Sequence, residues 1–156
     1  MTSMQKLREK SAFLVATWFG LGTLPKMPGT WGSLGALPFA WMLWHLPAAI
    51  AWIVFAAFIA LAIWAAGSLD RSKGGHDNQC IVVDEVAGIF LTTSLAGESF
   101  LLYAAAFILF RIFDIWKPWP VRWVDRRVGG GFGVIADDLV AALYAVLCLG
   151  ILRSFL

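Results

Sequence analysis

The sequence predicts an all-α fold, a compact helical membrane protein with several transmembrane or re-entrant helices, built as one domain over residues 1–156. Three observations carry this. Hydrophobic residues make up 60% of the 156-residue chain and charged residues 14%, with a mean hydropathy of +0.78; a soluble domain is nearer half apolar and a quarter charged. From Met27 to Leu69 there is no Asp, Glu, Lys or Arg, a run of 43 residues, whereas one helix needs about 20 to cross the hydrocarbon core. The polar and Gly/Pro-rich residues collect instead in three connectors, 20–33, 70–79 and 117–136. The same figures exclude other classes. A balance of 12 basic to 10 acidic residues leaves no electrostatic footprint for nucleic acid. Cys80 and Cys148 follow neither metal nor redox spacing and read as packing thiols.

Helices are expected near 6–20, 34–46, 47–69, 80–96, 99–117 and 137–154. The first begins with Lys6, Arg8 and Lys10. It resembles a signal peptide, but no small-x-small cleavage site follows, so it reads as retained with its basic end in the cytoplasm. Within the charge-free run, Pro38 and Pro47 are expected breakpoints. The part from Ala48 to Gly67 is long enough to span alone. The part from about Ser33 to Leu46 is short, suited to an oblique crossing or to one arm of a re-entrant hairpin. Pro118 and Pro120 end the helix before them. A hairpin over 34–69 puts the first two connectors, with Lys26, Arg71 and Lys73, on one side, and the positive-inside rule makes that side cytoplasmic. Tryptophans near several helix ends suit the headgroup region of an inner membrane.

Five of the ten acidic residues lie in apolar surroundings: Asp84 and Glu85 in I-V-V-D-E-V-A-G, Asp114 in F-R-I-F-D-I-W-K-P, and Asp137 and Asp138 in G-V-I-A-D-D-L-V-A. A carboxylate at the bilayer centre costs about 2.5–3.5 kcal/mol on insertion scales, so each needs a reason. The simplest is local. Both acid pairs fall in or near expected first helical turns, where carboxylates cap N–H groups and complement the dipole, and Arg111 to Asp114 is an i,i+3 ion-pair spacing. One side chain suffices for a cap, however, and here two adjacent acids occur twice. The alternative is convergence of the three segments on one locus, helped by the small residues Gly88, Ala141 and Ala142 one turn away. Clustered carboxylates do not all stay ionised without a cation. Oxygen ligation with no usable His or Cys selects a hard ion, Mg²⁺ first.

Arg111 and Lys117 flank Asp114 at three-residue intervals and share roughly one helix face. Carboxylates, a divalent cation, Arg and Lys together suit a phosphate group. Lys26, Thr30 and Ser33, in and beside G-T-W-G-S, add weaker anion-binding candidates, though the segment lacks the G-K-[ST] of a P-loop. Other phosphate chemistries fail by pattern. Val86 and Ser154 stand where a Cys-x5-Arg loop needs arginine, and no D-x-D occurs. His45 reads as packed or interfacial and His76 as solvated.

The blocks P-K-M-P-G-T-W-G-S (25–33), I-V-V-D-E-V-A-G (81–88), F-R-I-F-D-I-W-K-P-W-P (110–120) and G-V-I-A-D-D-L-V-A (133–141) resemble the phosphatidylglycerophosphatase A family, in that family's order and spacing. The stretches S-K-G-G-H-D-N-Q-C and L-V-A-A depart from its pattern. The resemblance implies a Mg²⁺-dependent lipid phosphatase of the bacterial inner membrane, converting phosphatidylglycerophosphate to phosphatidylglycerol and inorganic phosphate. It places Asp84, Glu85, Asp114, Asp137 and Asp138 among the metal ligands and general base, and Lys117 in the substrate site. The nucleophile is either water activated by the metal or a carboxylate. Two rival readings stand beside it: a small ion or proton transporter using intramembrane carboxylates, and a phosphatase for another lipid phosphate such as phosphatidic acid.

Overall fold

Thr2 opens the first helix with a reciprocal cap: its hydroxyl accepts from Gln5 N–H, and the Gln5 side chain accepts from Thr2 N–H. This helix, α1 (Ser3–Ala16), is followed in the computed structural model by α2 (Pro28–Trp44), α3 (Ala48–Ser72), α4 (Val83–Thr92), α5 (Phe100–Trp116), α6 (Val121–Arg127) and α7 (Gly130–Arg153). The described residues are 2–72 and 79–155, with no strand among them; the His76 assignment lies outside them. The all-helical expectation therefore holds.

Helix boundaries differ from expectation in three places, each for a legible reason. Helix α2 starts at Pro28, not near 34, because proline at the first helical position loses no hydrogen bond. Pro38 does not break it: the helix runs through to Trp44, and Pro47 alone separates α2 from α3. Helix α7 starts at Gly130, seven residues before the expected 137, and takes in the glycine cluster that reads as a loop. Glycine disfavours a helix interior by about 1 kcal/mol, but Gly131 is needed for contact. A Cβ there would overlap Ile63 O and lie 2.7 Å from Gly67 N, so the α3 and α7 backbones touch. The third connector also contains a helix of its own, α6.

Helix α4 is the centre of the bundle. Val83, Val86, Ala87, Gly88, Ile89 and Phe90 are all buried, and the helix packs on α7, α2, α3 and α5. Gly88 receives the Phe110 ring of α5. A ten-residue helix that ends inside protein must satisfy its own last carbonyls. Thr92 and Thr93 hydroxyls donate to Gly88 O and Ile89 O, each at 2.8 Å. Trp44 Nε1 of α2 donates to Phe90 O at 2.8 Å. At the other end, Val82 N–H donates to Ala16 O at 2.9 Å, tying α4 to the end of α1.

The outside of the bundle is apolar. Ile53, Leu101, Ile115, Leu147 and Ile151 are among the large hydrophobic side chains left exposed. Helices α3, over Ala48–Arg71, and α7 are long and apolar enough to cross a membrane.

Candidate active site

The ends of five helices meet around a cavity of about 430 Å³. Pro28 and Gly29 come from the start of α2 and Asp70 from the end of α3. Asp84 and Glu85 come from the first turn of α4, Asp114 and Lys117 from the end of α5, and Asp137 and Asp138 from α7. The hairpin of α2 and α3 accordingly brings residues flanking the first two connectors to one end of the bundle.

Asp84, Glu85 and Asp138 each offer an oxygen within 4.8 Å of the other two. Asp84 Oδ1 accepts from Glu85 N–H at 3.0 Å, a first-turn capping contact. Capping accounts for one oxygen of the group. It cannot account for Asp137 and Asp138, which lie beyond the second turn of α7, so the first-turn reading of that pair is corrected. Both are buried, and among the described residues Asp138 Oδ2 and Glu85 Oε2 have no hydrogen-bond partner. Burial, and then the charge of Glu85, hold the Asp84 carboxyl well above its usual range. Burial raises Glu85 as well, with Asp114 adding to it and Arg111 opposing it. Orphaned carboxylate oxygens converging on one point form an acceptor-only donor set that a hard divalent cation satisfies. The residues present fit Mg²⁺.

Two cations control the remaining acids. Arg111 Nη1 lies 2.7 Å from Asp114 Oδ2 and 3.7 Å from Glu85 Oε1. It supports the cavity from behind and is absent from its lining. Gly29 makes room for this pair: a Cβ would overlap Glu85 Oε1 and sit 3.1 Å from Arg111 Nη1. Lys117 ends α5 with φ 47°, a left-handed conformation that non-glycine residues rarely hold. Its Nζ reaches Asp125 Oδ1 at 2.7 Å and Asp137 Oδ2 at 2.8 Å. Burial works against the Lys117 charge, but these two carboxylates outweigh it and hold its pKa above the ordinary value.

Of the sequence candidates, Asp84, Glu85, Asp114, Lys117, Asp137 and Asp138 share the cavity. Lys26 is exposed, Thr30 half-buried and Ser33 fully buried; none of the three lines it. The G-T-W-G-S segment is helical, so its backbone N–H groups do not form the anion cradle expected of a loop. Three participants carry no sequence signal of their own. Asp70 and Gln79 line the cavity, and Asp125 pairs with Lys117. Only the position of Asp70 directly after an apolar span sets it apart.

Fold and site define a class: an all-helical protein with a buried carboxylate cluster that opens on a polar cavity, walled on one side by a lysine. Within that class the chain belongs to the phosphatidylglycerophosphatase A family, whose model matches residues 14–153. It is 41% identical over 131 residues to phosphatidylglycerophosphatase A of Escherichia coli (strain K12), covering 83% of this chain and 76% of that one. It is 38% identical over 136 residues to the protein of the same name from Haemophilus influenzae, covering 86% and 83%. A Bacteroides thetaiotaomicron protein provisionally named phosphatidylinositol-3-phosphatase is 37% identical over 153 residues, covering 90% and 92%. No solved structure matches the chain.

Proposed function

We propose that this protein hydrolyses the terminal phosphomonoester of phosphatidylglycerophosphate, yielding phosphatidylglycerol and inorganic phosphate, with Mg²⁺ held by Asp84, Glu85 and Asp138. The observation that carries the reading is the pair of orphaned oxygens, Glu85 Oε2 and Asp138 Oδ2, in a three-carboxylate cluster. Family membership supplies the reaction class and the headgroup. When bound, Mg²⁺ supplies Lewis-acid polarisation of the phosphoryl group and a more acidic water. Lys117 binds a phosphoryl oxygen from the opposite wall. Asp137, tied to Lys117 through Oδ2, keeps Oδ1 to accept a proton from the attacking water and to return it to the glycerol oxygen as its bond to phosphorus breaks. Arg111 holds Asp114 and Glu85 in register and acts as a positioning residue.

The apolar exterior and the two long helices support an integral position in a bacterial inner membrane. The basic connectors support a cytoplasmic cavity. The Bacteroides relative favours a second reading, in which the phosphomonoester sits on the inositol of a phospholipid. Phosphate release by the purified protein decides. Phosphatidylglycerophosphate should be turned over only with Mg²⁺. Faster release from phosphatidylinositol 3-phosphate would move the assignment to the second reading, and faster release from phosphatidic acid to a general lipid phosphatase. Ion flux without phosphate release would mark a transporter.

A further inference from the structure

A second cavity, about 530 Å³, adjoins the acidic one; its lining includes Lys117, three tryptophans (Trp116, Trp119, Trp123) and three arginines (Arg122, Arg126, Arg127). Lys117 belongs to both linings. Arg122 and Arg126 are four residues apart, as are Trp119 and Trp123, so each pair spans one helical turn or the approach to it. Among the described residues no carboxylate pairs with Arg122 or Arg126; Asp125 between them is taken by Lys117. Arg127 is likewise in none of the carboxylate pairs among the described residues, so three unneutralised guanidinium groups border the hollow beside exposed indole rings, and Arg122 and Arg126 stand one turn apart on one face of α6. Guanidinium forks match the paired oxygens of a phosphate diester, and indoles favour the headgroup layer of a bilayer. Arg122 also borders a largely apolar hollow of about 750 Å³ on α5, where Ile108, Ile112, Ile115 and Trp116 stand beside Arg111.

We infer that Arg122 and Arg126 form a subsite for the internal phosphodiester of the lipid whose terminal phosphomonoester enters the acidic cavity. This deepens the functional reading above and rests on it. Lys117 links the carboxylate cavity to the arginine-lined one, and Arg122 and Trp116 link that one to the isoleucine hollow. A phospholipid bearing a headgroup monoester runs in the same order: phosphomonoester, polyol bridge, phosphodiester, acyl chains. Both headgroups under consideration carry that diester, whereas phosphatidic acid does not. The subsite accordingly selects lipids with two separated phosphates and is indifferent to whether glycerol or inositol bridges them.

The test uses the full-length protein in neutral-detergent mixed micelles, where enzyme and lipid already share one phase and substrate mole fraction is varied. Arg122→Gln/Arg126→Gln should raise KM for phosphatidylglycerophosphate about tenfold, the scale of one lost charge-assisted contact, with kcat within about twofold of wild type. Inhibition by phosphatidylglycerol, a diester without the monoester, should weaken by the same factor, and inhibition by inorganic phosphate should stay unchanged. An unaltered KM, or a loss shared by kcat and inorganic-phosphate inhibition, overturns the subsite. The thermal midpoint should match wild type, because neither arginine has a carboxylate partner to lose. A wild-type protein that releases no phosphate from phosphatidylglycerophosphate defeats the functional reading instead. In that case phosphatidylglycerol binding, followed by tryptophan fluorescence in wild type and variant, still decides the subsite.

Discussion

Asp84–Glu85 and Asp137–Asp138 look alike in sequence, yet they stand on their helices in opposite circumstances. The first pair occupies the opening turn of α4, where free N–H groups and the positive end of the dipole favour negative charge, and Asp84 accepts one of those N–H groups. The second pair lies past the second turn of α7, where every backbone donor nearby belongs to the helix ladder. Charge there is balanced from outside. Asp137 receives Lys117, while Asp138 has a buried oxygen that none of the described residues partners. Identical side chains thus divide into a carboxylate helped by its helix, one neutralised by a lysine, and one with an unsatisfied buried oxygen.

That division predicts a ranking of effects. The largest belongs to Asp138→Asn, which should lower kcat by about 10³-fold without lowering the apo thermal midpoint, since the oxygen it replaces has no partner among the described residues to lose. Wild-type turnover in this variant would end the case for a cation at α7. Lys117→Met should cost about 10²-fold in kcat and, by stranding Asp137, about 1–3 kcal/mol of stability; paired kinetics and thermal melts measure both. Asp137→Asn in the Lys117→Met background should recover part of the stability and none of the activity. Gly29→Ala pushes Glu85 away from the cluster and should lower kcat about tenfold, read in the same assay, with a smaller loss in the melt. A ligand shift reads the same site without turnover. Saturating Mg²⁺, at about a hundred times its Kd, should stabilise the wild type by about 2.7 kcal/mol, and Asp138→Asn should lose most of that increment. An equal shift in both proteins would place the ion elsewhere.

Much of this arrangement is legible from residue patterns, and the exceptions share one cause. The acids that matter stand out because an apolar neighbourhood makes charge expensive, and Lys117 stands out through its spacing from Asp114. Helix starts are misread at Gly130 and within 28–33 because glycine signals a turn when only local propensity is weighed. At Gly131 and Gly29 the deciding contact comes from another helix, Ile63 of α3 and Glu85 of α4. Lys26, Thr30 and Ser33 follow from the same misreading, since a loop's free N–H groups disappear once the segment is helical. Asp125 is hidden for the converse reason: in V-D-R-R it resembles ordinary surface charge, and its contact with Lys117 appears only once the turn between α5 and α6 is in place.

The ten residues of α4 have one further consequence. At 1.5 Å per residue the helix is about 15 Å long, half the thickness of a hydrocarbon core. It carries its carboxylates at one end and closes its other end with Trp44 and two threonines inside the protein. A helix of that length reaches only half-way through such a core, so the position of its acidic end, and not its span, decides how far a phosphate meeting Asp84 would have to travel from water.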